Sequence, residues 1–283
     1  MSRITSRILL AAIFAALGLS SARADRRAEM VDTAIVLAVD VSGSVTAERF
    51  TLQMEGLART FEDTAIQAAI LSGPHRSIFV TLVEWSNRTT VSVPWTLIAD
   101  AEDARAFANR VRHAPRADDQ FTCMAAALQL VADKVLPFLP APSDRTIIDV
   151  SGDGHDNCNP LKPVDAVRDE LVAADVTING LPILEGDESD TLAQWYRDHV
   201  IGGRGAFLVP ASGFNDFGRA MRRKFIIEIS LARGREADAA APAGDFSYRQ
   251  IGASVASQVD FAASRSTAGL PPLAPGAAAR SLP

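Results

Sequence analysis

Several things are scarce in this chain of 283 residues, and each scarcity excludes a class of function. Beyond residue 19 no apolar run approaches the roughly 20 residues needed to cross a bilayer. Basic residues are outnumbered, 28 Lys and Arg against 34 Asp and Glu, for a formal charge of −6. They form no cluster, which argues against a nucleic acid or an anionic membrane as partner. Cysteine is limited to Cys123 and Cys158, and no histidine or cysteine stands at zinc-ligand spacing. The Gly-x-Ser-x-Gly elbow of serine hydrolases is missing, and there is no internal repeat.

The two ends differ from the middle. Arg3 and Arg7 lead into the apolar run Ile8 to Leu19, followed by Ala22-Arg23-Ala24. A basic start, a short apolar stretch and small residues at a cleavage site spell a secretory signal peptide over residues 1–24. The alternative, a membrane anchor, asks for a longer run. Cleavage after Ala24 removes three arginines and no acid, so 28 basic and 34 acidic residues become 25 and 34, and the charge moves from −6 to −9. In an exported protein an even cysteine pair suggests a disulfide. From about Arg233 the composition shifts to Ala, Gly, Pro and Ser, and residues 232–283 read as a disordered tail. Within it Phe246 to Phe261 has the makings of a weak docking helix.

The middle, residues 25–231, is long enough for one well-buried core. Thr33 to Val41 is almost continuously apolar, as suits a parallel strand buried on both faces. A helix is expected from Thr46 to Leu71, with Phe50, Met54, Leu57 and Phe61 at helical spacing. Strands follow at Ser77 to Trp85 and Thr89 to Val93, the latter ending at Pro94. Helices are expected from Asp100 to His113, where acids mark a capped start, and from Thr122 to Phe138. Then come a strand at Thr146 to Val150, a helix at Val164 to Ala174 and a strand at Val176 to Leu184. A helix at Ser189 to Val200, a strand at Ala206 to Val209 and a helix at Asn215 to Leu231 complete the series. Alternation of this kind predicts an α/β fold, a doubly wound and mostly parallel sheet with helices on both faces.

In such sheets ligands bind beyond the carboxyl ends of the strands. One end reads Asp40-Val41-Ser42-Gly43-Ser44. In an extended segment alternate side chains point the same way, so one carboxylate and two hydroxyls converge. A second end carries Asp153, with Gly152 and Gly154 permitting a sharp turn. Oxygen-only donors suit a hard cation such as Mg²⁺ or Mn²⁺. Asp40, Ser42 and Ser44 also read as capping and turn residues.

Asp40-x-Ser42-x-Ser44 after an apolar strand, Thr122 in a later loop and Asp153-Gly154 at the end of the fourth strand resemble the metal-ion-dependent adhesion site of von Willebrand factor type A (VWA) domains. The resemblance extends over about Asp32 to Leu231, and includes exported proteobacterial proteins of this class. It implies that Asp40, Ser42, Ser44, Thr122 and Asp153 ligate a divalent metal. One departure is the Gln120-Phe121 pair before Thr122, where many members have glycines. The resemblance further implies a periplasmic or secreted location. If both loops line the site, a Cys123–Cys158 bond staples them; the alternative is two separate buried thiols.

Other residues near these motifs have plainer readings. His155 reads as a rim residue. Asp156 reads as a solvated loop charge, with an acceptor for metal-bound water as the alternative. Trp85, following Glu84 at a strand end, reads as packing, and Asn87-Arg88-Thr89 as a chance glycosylation sequon. The function implied is a binding module whose metal meets an Asp or Glu of a protein partner, without a catalytic acid–base set. The alternative is a Mg²⁺-dependent phosphatase of haloacid dehalogenase type with Asp40 as nucleophile. That chemistry asks for a second acid two residues on, where this chain has Ser42.

Overall fold

The computed structural model describes residues 28–116, 120–158 and 160–240. The signal peptide expected over 1–24 and the helix considered for 246–261 lie outside the described residues. Five strands form one sheet in the order β3-β2-β1-β4-β5: β1 (Thr33–Asp40), β2 (Ile78–Trp85), β3 (Thr89–Ile98), β4 (Thr146–Gly152) and β5 (Val176–Pro182). All neighbouring pairs are parallel except β2–β3, an antiparallel edge hairpin. The α/β, doubly wound architecture expected from the sequence is therefore present.

Alternation along β1 divides the core. Ile35, Leu37 and Val39 face one apolar layer with α1 (Ala47–Glu62), α2 (Thr64–Ile70), α3 (Ala101–Arg112) and the last helix, α7 (Phe217–Ala240). In that layer Phe61 packs edge-on against both Phe107 and Phe225. Val36 and Ala38 face the other layer, built from α4 (Met124–Leu130), α5 (Val164–Ala173) and α6 (Ser189–Trp195). Trp85 lies wholly buried there, in the packing role expected for it.

Four elements depart from the sequence expectation. The helix expected over Thr46 to Leu71 is two, because the Asp63 carboxylate accepts from the N–H groups of Ala65 and Ile66 and starts a second helix. The strand β3 runs through Pro94 to Ile98; β3 is an edge strand, and Pro94 falls at a register irregularity between the pairs Val93–Leu82 and Thr96–Val80, where proline is tolerated. The strand expected at Ala206 to Val209 is reduced to isolated bridges, Gly180 with Leu208 and Ile183 with Ala211. The last helix continues to Ala240, past the end expected at Leu231.

A charged cluster lies inside the first layer. Asp149, on β4, and Glu228, on α7, both contact the Lys224 ammonium, and all three are at most 3% exposed. Asn179 on β5 donates to Glu228 Oε1 at 2.7 Å, and its own Oδ1 accepts from the Phe207 N–H at 3.1 Å. Burial and the nearby Asp149 charge raise the Glu228 carboxyl above the ordinary range. Removing one member of a buried ionic group leaves the others uncompensated, at about 3–5 kcal/mol. A Lys224→Met variant is expected to lose stability on that scale, read as a lower urea midpoint with an unchanged slope.

Candidate metal centre

The chain enters the sheet at β1, builds outward to β2 and β3, then returns to the other side of β1 for β4 and β5. The order therefore reverses between β1 and β4, and a crevice opens beyond the carboxyl ends of these two strands. Asp40 ends β1, and Asp153 follows the last residue of β4. Sequence position alone puts both carboxylates at the switch point.

The loop after Asp40 is a turn, which corrects the extended segment expected from the alternation of Asp40, Ser42 and Ser44. Asp40 Oδ1 accepts from the Ser42 N–H at 2.7 Å, and the Val45 N–H bonds back to the Ser42 carbonyl at 2.9 Å. The oxygens converge all the same. The hydroxyls of Ser42 and Ser44 are 3.3 Å apart, and Ser44 Oγ donates to Asp153 Oδ1 at 2.7 Å. Asp40 does not cap α1, because Thr46 takes that role by accepting from the Arg49 N–H. Gln53 is buried on α1 and donates to the Asp40 carbonyl at 3.1 Å, which fixes the strand end.

The third segment is docked from both sides. Gln120 O accepts from the Gly43 N–H at 3.2 Å, and Asn87 Oδ1 accepts from the N–H groups of Gln120 and Phe121. Thr122 exchanges two hydrogen bonds with Asn157: its N–H donates to Oδ1 at 2.8 Å, and its carbonyl accepts from the Asn157 N–H at 3.0 Å. A Cβ placed on Gly154 would lie 3.8 Å from Thr122 Oγ1, so the Thr122 hydroxyl borders the Asp153 turn. Cys123 and Cys158 form a disulfide, with Cα atoms 5.1 Å apart, that joins these two loops as expected. All five residues singled out in the sequence thus gather at one place.

Two helpers escaped the sequence reading. Asp156 is not the solvated loop charge expected from the sequence, since both of its carboxylate oxygens accept backbone N–H groups. Its Oδ2 accepts from the Ala125 N–H at 2.7 Å and its Oδ1 from the Cys158 N–H at 3.1 Å, so it caps the start of α4. Asn87 is the anchor of the Gln120-Phe121 segment, and the sequon reading pointed elsewhere. A capping carboxylate more than thirty residues away in sequence leaves no local signal. His155 sits at the rim as expected, its ring 4.9 Å from that of Trp195 and its N–H donating to Glu188 Oε2.

The electrostatics of the crevice are unbalanced. Asp40 is fully buried, and burial together with the Asp153 charge pushes its carboxyl up to about 7. Burial also raises Asp153. Asp40 Oδ2 and the Tyr196 hydroxyl are both buried without a hydrogen-bond partner. A Cβ on Gly152 would lie 2.9 Å from that Oδ2 and 3.1 Å from that hydroxyl, so only glycine leaves the space open. Among the described residues, Arg49 stands 3.8 Å from Asp153 Oδ2 and is engaged elsewhere as well, with the Ser44 carbonyl at 2.7 Å and Glu185 at 2.6 Å. An oxygen-only set in which one shared arginine reaches only Asp153, and which holds an unbonded carboxylate oxygen, fits a hard divalent cation.

Two predictions follow from this geometry. Asp40 in the folded, metal-free protein keeps a proton that the unfolded chain releases from about pH 4 upward. Stability of the chelated protein should therefore fall as pH rises from 5 to 7.5. Asp40→Asn should flatten that fall, with thermal unfolding in EDTA as the measurement. The disulfide closes a loop of 35 residues' separation, for which chain entropy gives ~3–4 kcal/mol. The Cys123→Ala/Cys158→Ala protein should lose about that much stability in urea and should bind divalent cations more weakly.

Among solved structures, the fold is similar to proximal thread matrix protein 1 from the mussel byssus, in a form described as having a zinc-occupied MIDAS motif. The TM-score is 0.52 at 14% identity, over 70% of this chain and 46% of that one. A second crystal form of that protein gives a TM-score of 0.53 at 15% identity, over 71% and 48%. This chain thus spans less than half the length of the structures it matches, and at such identity the likeness concerns the fold, which is VWA-like. No curated protein matches the chain. Residues 30–233 match the family described as protein of unknown function (DUF1194), and the chain belongs to that family.

Proposed function

We propose that this domain is an exported, metal-dependent protein-binding module. Asp40, Ser42, Ser44, Thr122 and Asp153 hold a divalent cation, Mg²⁺ or Mn²⁺, and an Asp or Glu side chain of a protein partner completes its coordination. The observation that carries this reading is Asp40 Oδ2, a buried carboxylate oxygen without a hydrogen-bond partner beside a second buried carboxylate. The bound cation supplies an electrophilic centre that draws an anionic oxygen. The residues themselves do the remaining work. Three neutral hydroxyls contribute ligands without adding charge, so two carboxylates at most neutralise a doubly charged ion and leave it attractive to an acid.

The rim suits a protein surface. Phe121, next to Thr122, is 55% exposed, an unusual position for a large apolar side chain. Trp195 and His155 form an aromatic pair nearby. The disulfide fits an oxidising compartment, and the periplasm or the exterior is the location proposed. Among the described residues no helix is long and apolar enough to cross a membrane.

The experiment is calorimetric titration of Mg²⁺ and Mn²⁺ into metal-stripped protein at pH 7.5, beside Asp153→Ala. Binding at one site per chain that the variant lacks is expected. Peptides with a central Glu should then be retained by the loaded protein and released by chelator. Equal retention of such peptides by Asp153→Ala would sink the proposal.

A further inference from the structure

At the opposite end of the sheet, before the strands begin, three potential ligands from three segments come together. Asp32 precedes β1, His75 lies between α2 and β2, and Asp144 precedes β4. Each offers one ligand atom, and these atoms lie within 4.8 Å of one another. His75 Nε2 is 3.2 Å from Asp144 Oδ2.

Asp32 is held in a fixed pose. It is 8% exposed, its Oδ1 accepts from the His75 N–H at 2.8 Å, and its Oδ2 accepts from the Ser77 N–H at 3.3 Å. Arg76, between those two donors, has φ +52°, a left-handed conformation that is costly for a residue with a side chain and that aims both N–H groups at one carboxylate. Gly73 closes the loop over Asp32, where a Cβ would come within 2.4 Å of Oδ2. Each carboxylate oxygen accepts one bond and has a second lone pair to offer. The backbones of the three segments are tied as well: the Asp32 N–H donates to the Ser77 carbonyl at 3.0 Å, and the Asp144 N–H to the Val31 carbonyl at 3.1 Å.

We propose that Asp32, His75 and Asp144 form a second divalent-cation site, distinct from the crevice at Asp40, and that it takes zinc rather than magnesium. One imidazole nitrogen and two carboxylates suit a borderline ion, whereas Mg²⁺ prefers oxygen and keeps most of its water. A tetrahedral zinc site with bonds of about 2.0–2.2 Å needs ligand separations of about 3.3–3.6 Å. The His75–Asp144 edge is already at 3.2 Å. The remaining closure falls to the two side chains free to rotate, His75 at 31% and Asp144 at 43% exposure, while Asp32 stays fixed. The fourth position opens to water. Occupancy clamps the starts of β1, β2 and β4, so the ion stabilises the sheet at the end remote from the proposed partner surface.

The test uses the full chain without a purification tag, stripped of metal and carrying Asp153→Ala, so the crevice site does not contribute. Zn²⁺ titrated calorimetrically should bind at one equivalent per chain and raise the unfolding temperature, while Mg²⁺ at the same concentration does neither. Adding His75→Ala should abolish the zinc heat and the thermal shift. His75→Gln, closer in size, guards against a folding defect, since its metal-free unfolding midpoint should match the parent's. Zinc binding that survives both His75 variants, or no zinc binding by the Asp153→Ala protein, would overturn the proposal. The latter result would identify His75 and Asp144 as an ordinary ion pair. Neither outcome touches the reading of the crevice, which rests on Mg²⁺ and Mn²⁺ binding by the unmodified chain.

Discussion

Two carboxylates, Asp40 and Asp153, are buried beside each other where the strand order reverses, and a pair of like charges out of water is costly unless something offsets it. Much of the surrounding structure is arranged around that constraint. Gly152 leaves space against Asp40 Oδ2, Gln53 holds the strand end, and Ser44 donates to Asp153. Asn87, Asn157, Asp156 and the Cys123–Cys158 bond hold the Thr122 segment against the other two loops. Among the described residues Arg49 offsets the pair only in part, since it reaches the edge of Asp153 and serves Glu185 as well. On the proposed reading, the cation is the missing element, and the loops exist to keep five oxygens in place for it.

The charged group in the other layer is a useful contrast. Asp149 and Glu228 are also buried, yet the Lys224 ammonium contacts both and Asn179 donates to Glu228. There the protein carries its own cation on α7. Beside Asp40 it does not, although the helical turn that follows α6 brings the Tyr196 hydroxyl close to it. The difference between carboxylates that share an internal ammonium and carboxylates that do not is what makes the crevice a candidate for a ligand.

Much of this was legible in the sequence, for physical reasons. A strand buried on both faces must be apolar nearly throughout, so β1 announced itself, and with it the position of Asp40 at a strand end. Five chemistry-bearing residues at strand ends and in one loop sufficed to name the crevice. What escaped were features fixed by contacts remote in sequence. Asp63 starting a new helix, β3 passing Pro94 on a free edge, and the bridges at Leu208 and Ala211 all depend on neighbours that a linear pattern does not show. Asp156 capping α4 and Asn87 anchoring Gln120 belong to the same class. So does the group of Asp32, His75 and Asp144, whose members are scattered over more than a hundred residues and carry no motif.

The turn at Ser42 shows how a correct conclusion can rest on the wrong local geometry. Alternate side chains converge in an extended strand, and on that ground Asp40, Ser42 and Ser44 were expected to share a face. The strand ends at Asp40, whose own carboxylate captures the Ser42 N–H and turns the chain. Convergence then comes from the turn, with Ser44 brought back to Asp153. The two routes differ in consequence. An extended segment would point the hydroxyls along a sheet edge, where each is as free as its rotamer allows. A turn locked by Asp40 makes the position of both serines depend on that one carboxylate. Asp40 therefore has two tasks in the proposed site: one oxygen holds the loop, and the other, unbonded, is left for the ion.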